Sequence, residues 1–173
     1  ASLGEWFGYR CLAVAVAKAG VDCIITVDQR PEEVEENDAA LKAVSLDNIW
    51  MISPTTPASR NGTVVERARG FIYCVAVKGV TGSGQLDATE VARNVAVIRS
   101  KTTLPVAVGF GIKDADSARA VAAVADAVVV GSALIDAMVR VAEHEPAATE
   151  EQMHTAAVTL LKSIRVGMDS SPS

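Results

Sequence analysis

The sequence contains no run of Lys or Arg, and its 16 basic and 21 acidic residues leave a net charge of −5. That balance excludes nucleic acid or an anionic membrane surface as the main partner. Cysteine is sparse: Cys11, Cys23 and Cys74 are odd in number, widely spaced and form no CxxC pair. Neither a disulfide scaffold nor a zinc site is expected, no metal is called for, and a reducing cytoplasm is the default location. No apolar run reaches the roughly 20 residues of a membrane span. The longest weakly charged stretch, 120–135, is rich in Ala and broken by Asp126. The opening Ala1-Ser2-Leu3-Gly4-Glu5 has neither a basic nor an apolar segment, so no signal peptide is expected.

What is present is a hydrophobic chain of one-domain size. Half of its 173 residues are hydrophobic and 21% are charged, which excludes a disordered or linker-like polymer and supplies one sizeable core. A single domain over 1–173 is expected, with 167–173 frayed at its end.

The apolar segments alternate between two kinds. Cys23–Val27, Ile49–Ile52, Phe71–Val75, Pro105–Val108 and Ala127–Val130 are short, rich in β-branched residues and lack polar alternation. This is how parallel strands read when both faces are covered. Between them the apolar residues recur with helical period. Val34, Leu41 and Val44 mark one helix; Val91, Val95 and Ile98 mark another, entered by Asp87-Ala88-Thr89-Glu90 as a capping box; Ala118, Val121, Ala122 and Ala125 mark a third, behind Asp114. Arg10–Ala19 reads as an opening helix stopped by Gly20, and Thr149-Glu150-Glu151-Gln152 opens a last amphipathic helix through Met153, Leu160, Leu161 and Ile164. Repeated β-α units with short connections imply a parallel α/β sheet with outer helices. A doubly wound open sheet and part of a (β/α)8 barrel both fit. Five strands are short of the eight of a complete barrel.

In either architecture, sites form at the C-terminal ends of strands. Those ends read Asp28; Ser53-Pro54-Thr55-Thr56-Pro57; Lys78-Gly79-Val80-Thr81-Gly82-Ser83-Gly84; Gly109-Phe110-Gly111-Ile112; and Gly131-Ser132-Ala133. Glycine lets the backbone approach a ligand, and bare N–H groups with a hydroxyl at a helix start bind an anion. Three glycine-bearing ends in succession favour a phosphate over simple tight turns. His144 and His154 lack ligand-spaced partners and read as surface residues; Trp6 and Trp50 read as packing residues; Asp114, Asp116 and Asp126 read as helix caps and a strand lead-in.

Those strand ends also carry a family resemblance. Phe71–Val75 followed by Lys78-Gly79-Val80-Thr81-Gly82, then Pro105–Ile112, then Asp126–Leu134 resemble, in order and spacing, segments of the tryptophan synthase alpha chain. Ala19-Gly20-Val21-Asp22 and Pro54-Thr55-Thr56-Pro57 with Arg60 and Gly70 resemble its earlier segments. The resemblance implies a (β/α)8 TIM barrel, here incomplete, with about five of its strands. It implies a lyase that cleaves indole-3-glycerol phosphate to indole and glyceraldehyde 3-phosphate in tryptophan biosynthesis. The alpha chain would need no cofactor. Its partner would be the tryptophan synthase beta subunit, in a heterotetramer, with pyridoxal phosphate confined to that subunit.

By the same resemblance, Gly82, Gly111, Gly131 and Ser132 would surround the phosphate, with Phe110 beside them, and Gly109 would belong with them to the substrate-binding set. Thr81 would belong to a closing loop, and Tyr73 would line the cleft. Cleavage needs one group to protonate the indole ring carbon and another to take the glycerol hydroxyl proton. The family's Glu and Asp for these roles would lie upstream, so no catalytic residue is expected in this chain, which alone would be inactive. Its two open strand edges would be prone to association. Asp28, in Val27-Asp28-Gln29-Arg30-Pro31 where the family more often has Pro-Asp-Leu-Pro, is expected to order its own loop and that of Thr81. Two alternatives remain: a non-catalytic phosphate-ester binding or regulatory module, and a different barrel enzyme using Lys78 as a Schiff-base lysine.

Overall fold

The computed structural model describes residues 6–27, 31–53, 65–75, 88–109, 111–145 and 147–170. Its elements run α1 (Tyr9–Lys18), β1 (Cys23–Ile25), α2 (Pro31–Lys42), β2 (Asp47–Ile52), β3 (Ile72–Val75), α3 (Ala88–Arg99), β4 (Val106–Gly109), α4 (Ala115–Ala122), β5 (Ala127–Val129), α5 (Ser132–His144) and α6 (Glu150–Asp169). Each expected strand and helix is present, with boundaries moved by one to three residues.

The helix ends follow local chemistry. Gly20 adopts φ 82° immediately after α1, a conformation that costs glycine little. Asp114 accepts a 2.8 Å hydrogen bond from Ser117 N while Ser117 Oγ accepts one from Asp114 N, closing a capping box on α4. Thr149 and Gln152 form the equivalent box on α6. Asp87, the expected cap of α3, lies outside the described residues.

All five strands are parallel, in the spatial order β1-β2-β3-β4-β5. A doubly wound sheet reverses direction at a switch point, which takes its order out of sequence. Here each strand adds to the same edge as the last, so right-handed crossovers place every connecting helix on one face. This is the winding of a (β/α)8 barrel wall.

The register sorts side chains between the two faces. Trp50, Ile72 and Val106 form one row, and Ile52, Cys74, Val108 and Val128 another. Both rows face the helices. They pack against Val91, Val95 and Ile98 of α3, Ala118 and Val121 of α4, and Ile164 of α6. A second cluster joins Tyr9 and Ala13 of α1 to Ala40, Leu41 and Leu46. Met51, Tyr73, Ala107 and Ala127 lie in the row between, on the opposite, inner face.

Two expectations are corrected. The end of the chain does not fray at Gly167: α6 continues to Asp169 and Gly167 is buried. A Cβ built on Gly167 would lie 2.9 Å from the Cα and carbonyl carbon of Ala115, so the helices meet backbone to backbone there. Residues 171–173 lie outside the described residues. Trp6 does not pack; it is 80% exposed, and no described element covers it. Trp50 does pack, half-buried against the main core.

Candidate functional site

At the inner face, Tyr73 and Gly109 come together. Tyr73 pairs with Ala107 in register, and Gly109 lies two residues farther along β4 on the same face. Diagonal neighbours across strands are within reach of an aromatic side chain. The ring lies over Gly109 closely enough that a Cβ there would sit 2.5 Å from Cε2 and 2.8 Å from Cζ, overlapping the phenol oxygen as well. Glycine at 109 is therefore what admits the tyrosine. Partial burial raises the Tyr73 pKa above the ordinary phenol value, and its hydroxyl has no hydrogen-bond partner among the described residues.

The next two strand ends are adjacent. Gly109 pairs with Val129, and Gly111 and Gly131 each follow two residues beyond that pair. Gly111 turns the chain at φ 78°, which a side chain would strain. Gly131 is the N-cap of α5, with no side-chain cap on the helix end and no atom within 4 Å of a Cβ built there. Ser132 is exposed in the first turn. The positive end of a 13-residue helix dipole thus lies beside a hydroxyl, with no side-chain cap among the described residues.

The remaining positions divide plainly. Thr81, Gly82, Phe110, Asp28 and Lys78 lie outside the described residues. The inner-facing positions of β3 to β5, namely Tyr73, Val75, Ala107, Gly109, Ala127 and Val129, include no carboxylate or imidazole. His144 and His154 are exposed, His144 Nδ1 lying 2.8 Å from Arg140 O. No cluster of His, Cys, Asp or Glu suited to a metal occurs among the described residues.

Asp126 is a strand lead-in. It accepts from Val106 N at 2.8 Å and from Arg99 at 2.9 Å, tying the ends of α3, β4 and β5 together. These bonds hold its carboxyl below the ordinary range, that from Val106 N contributing most.

One polar cluster escaped the sequence reading. Thr26 Oγ1 donates to Asn48 Oδ1 at 3.1 Å, Asn37 Nδ2 to Thr26 Oγ1 at 3.3 Å and Asn48 Nδ2 to Asp38 Oδ1 at 2.7 Å. Asn37 and Asn48 are buried, and buried amides need such partners. The cluster fastens α2 and β2 to the exit of β1, two residues ahead of Asp28. Asn48 heads the apolar strand run Ile49–Ile52, whereas Asn37 sits in the charged stretch 32–38, where nothing in the sequence marks it as buried. A cavity of about 540 Å³, lined by Asp38, Lys42, Asp47, Asn48, Arg67 and Arg69 among others, opens beside it at the N-terminal end of β2, away from Gly109.

Singly wound parallel strands with their connecting helices outside define the class: a protein with the wall of a β/α barrel. The family model for "Tryptophan synthase alpha chain" matches residues 7–164, and the chain belongs to that family. The tryptophan synthase alpha chain of Chromobacterium violaceum is 45% identical over 158 residues, 91% of this chain and 59% of that protein. That of Thiobacillus denitrificans is 47% identical over 167 residues, 96% of this chain and 59% of the relative. A crystal structure of the alpha chain from Legionella pneumophila superposes with a TM-score of 0.82 at 32% identity, covering 98% of this chain and 60% of that one. Tryptophan synthase from Mycobacterium tuberculosis gives 0.78 at 28% identity, over 95% and 58%. The five strands thus form a curled half-barrel, and the chain spans about three-fifths of the length of these relatives.

Proposed function

We propose that this chain is the phosphate-binding half of a carbon–carbon lyase that cleaves indole-3-glycerol phosphate to indole and glyceraldehyde 3-phosphate in the cytoplasm. The observation that carries the reading is the juxtaposition of the Tyr73–Gly109 contact with the turn at Gly111 and the uncapped α5 start at Gly131 and Ser132. The helix start and Gly111 N–H receive the ester phosphate, with Gly82 and Phe110 completing its surroundings and Thr81 closing over it. Tyr73, an apolar ring with a hydroxyl that has no partner among the described residues, flanks the rest of the substrate. Asp28 orders the adjoining loops.

Cleavage breaks the bond between the indole ring carbon and the glycerol side chain. A proton is added at that ring carbon while another leaves the glycerol hydroxyl, which becomes the aldehyde oxygen. The inner face of β3 to β5 includes no carboxylate or imidazole for either transfer, and we assign both to carboxylates elsewhere in the family's barrel. The alpha chain uses no cofactor of its own, and its indole passes to a beta subunit carrying pyridoxal phosphate in a heterotetramer.

A non-catalytic phosphate-ester binding or regulatory module is the second reading, favoured by the same carboxylate-free face. Titrating the chain with indole-3-glycerol phosphate while following its melting temperature and indole release tests both. Binding without turnover is expected of the chain alone. At a ligand concentration of 100 Kd the stabilisation is about 2.7 kcal/mol. No shift at millimolar ligand refutes the phosphate site; indole release by the chain alone refutes the upstream assignment of the acid and base. Restored turnover on adding the missing strands separates the lyase from the module.

A further inference from the structure

The last helix, α6, packs against both α4 and α5. Those are the two helices that follow the Gly109–Gly111 and Gly131–Ser132 strand ends. Its contact with α4 is unusually intimate. Gly167 is buried in the last turn of α6. What it permits is backbone contact: a Cβ there would meet the carbonyl oxygen, carbonyl carbon and Cα of Ala115, the last two at 2.9 Å. Ala115 is the first residue of α4, four residues after Gly111, and the intervening Ile112 is 4% exposed in the same core as Ile164 of α6. Three residues, Ile112, Lys113 and Asp114, separate Gly111 from Ala115, and Asp114 is held in the α4 cap.

We infer that Gly167 is a positioning residue for the phosphate site: α6 clamps the first turn of α4 through it and so sets the spacing between the Gly111 turn and the α5 start. This rests on the phosphate reading above. Carbon atoms pack at about 3.5–4.0 Å, so a methyl group at 167 forces the two backbones apart by at least about half an ångström. The facing atoms are main chain and cannot rotate away. The displacement passes along the capped first turn, held by Asp114 and Ser117, to Gly111. The atoms nearest the added methyl group all belong to Ala115, so the α5 start does not receive the same push directly. Donors aimed at one anion from two elements then no longer converge.

The test compares phosphate-ester affinity at matched stability in the full chain. Glycerol 3-phosphate is titrated into the wild type, Gly167→Ala, and Val91→Ala, a core truncation in α3 that leaves the Gly167–Ala115 contact intact. Gly167→Ala is expected to weaken binding by the folded protein at least about tenfold, since misplacements of this size have effects of that order, while Val91→Ala leaves it within twofold. Equal affinity in wild type and Gly167→Ala overturns the positioning role. Equal loss in both variants also overturns it, because affinity then follows stability alone. No binding by the wild type overturns the phosphate reading instead. Should Gly167→Ala not fold, Ile164→Val, which loosens the same clamp without a clash, is expected to weaken binding more than Val91→Ala does; the reverse order refutes the proposal.

Discussion

Replacing Gly109 by alanine places a methyl group inside the Tyr73 ring, and the consequences can be worked from the geometry. Cε2 at 2.5 Å and Cζ at 2.8 Å are about an ångström closer than carbon atoms pack. Gly109 is buried at the C-terminal end of β4, paired on one side with β3 and on the other with β5, so the ring must leave its rotamer or the strands must part. Overpacking of this kind costs about 1–3 kcal/mol, equivalent to a fall of roughly 2–12 °C in melting temperature for a chain of this size. The partner substitutions sharpen the test. Tyr73→Ala removes the obstacle, so Gly109→Ala should cost little in that background, giving a coupling of about 1–3 kcal/mol in a double-mutant cycle measured by urea unfolding. Tyr73→Phe removes only the oxygen and leaves both close carbons, so its rescue should be partial. Additivity of Gly109→Ala and Tyr73→Ala within about 0.5 kcal/mol would refute the contact. So would full rescue by phenylalanine, which would assign the conflict to the hydroxyl alone.

Other expectations follow from the same structure. Because the folded pKa of Asp126 lies below its unfolded value of about 3.9, its contribution is present above pH 4 and lost as the pH falls through the folded pKa. Asp126→Asn should destabilise the chain by about 1 kcal/mol at neutral pH, and flatten the acid limb of stability below pH 4; an unchanged acid limb in urea titrations would count against it. The Arg99 ion pair, with both side chains over two-fifths exposed, adds little to that figure. Ala at Asp114 or at Thr149 should each cost about 1 kcal/mol through loss of a helix cap, measured by thermal unfolding, with additive effects because the caps are on separate helices. Burial pushes the Cys74 thiol up to about 11, whereas Cys11 is exposed. Mass spectrometry after brief maleimide treatment at pH 7 should find Cys11 labelled and Cys74 labelled only in denaturant; equal rates would contradict the placement of Cys74 in the core.

Much of this molecule is decided locally. Short β-branched runs separated by apolar residues at helical spacing can bury their surface only as parallel strands beneath helices, and all five strands form where those runs lie. Gly20, Asp114 and Thr149 end or begin helices through their own φ preference or side-chain oxygens, within a few residues of sequence. The glycine-bearing strand ends were equally legible, because a strand's direction assigns its C-terminal loop in any parallel fold. Tertiary structure decided the rest. A doubly wound sheet and a barrel wall bury the same strands on both faces, so their local patterns coincide; only the order in which distant strands pair distinguishes them. Covered strands also lack alternation, which hid that Tyr73 faces inward while Ile72 and Cys74 face the helices. The fit of Tyr73 over Gly109 joins residues 36 positions apart, and Gly167 looks like a helix breaker near a polar tail until Ala115 is set against it. A glycine's value there lies in what it lets approach, and that neighbour is supplied by the fold.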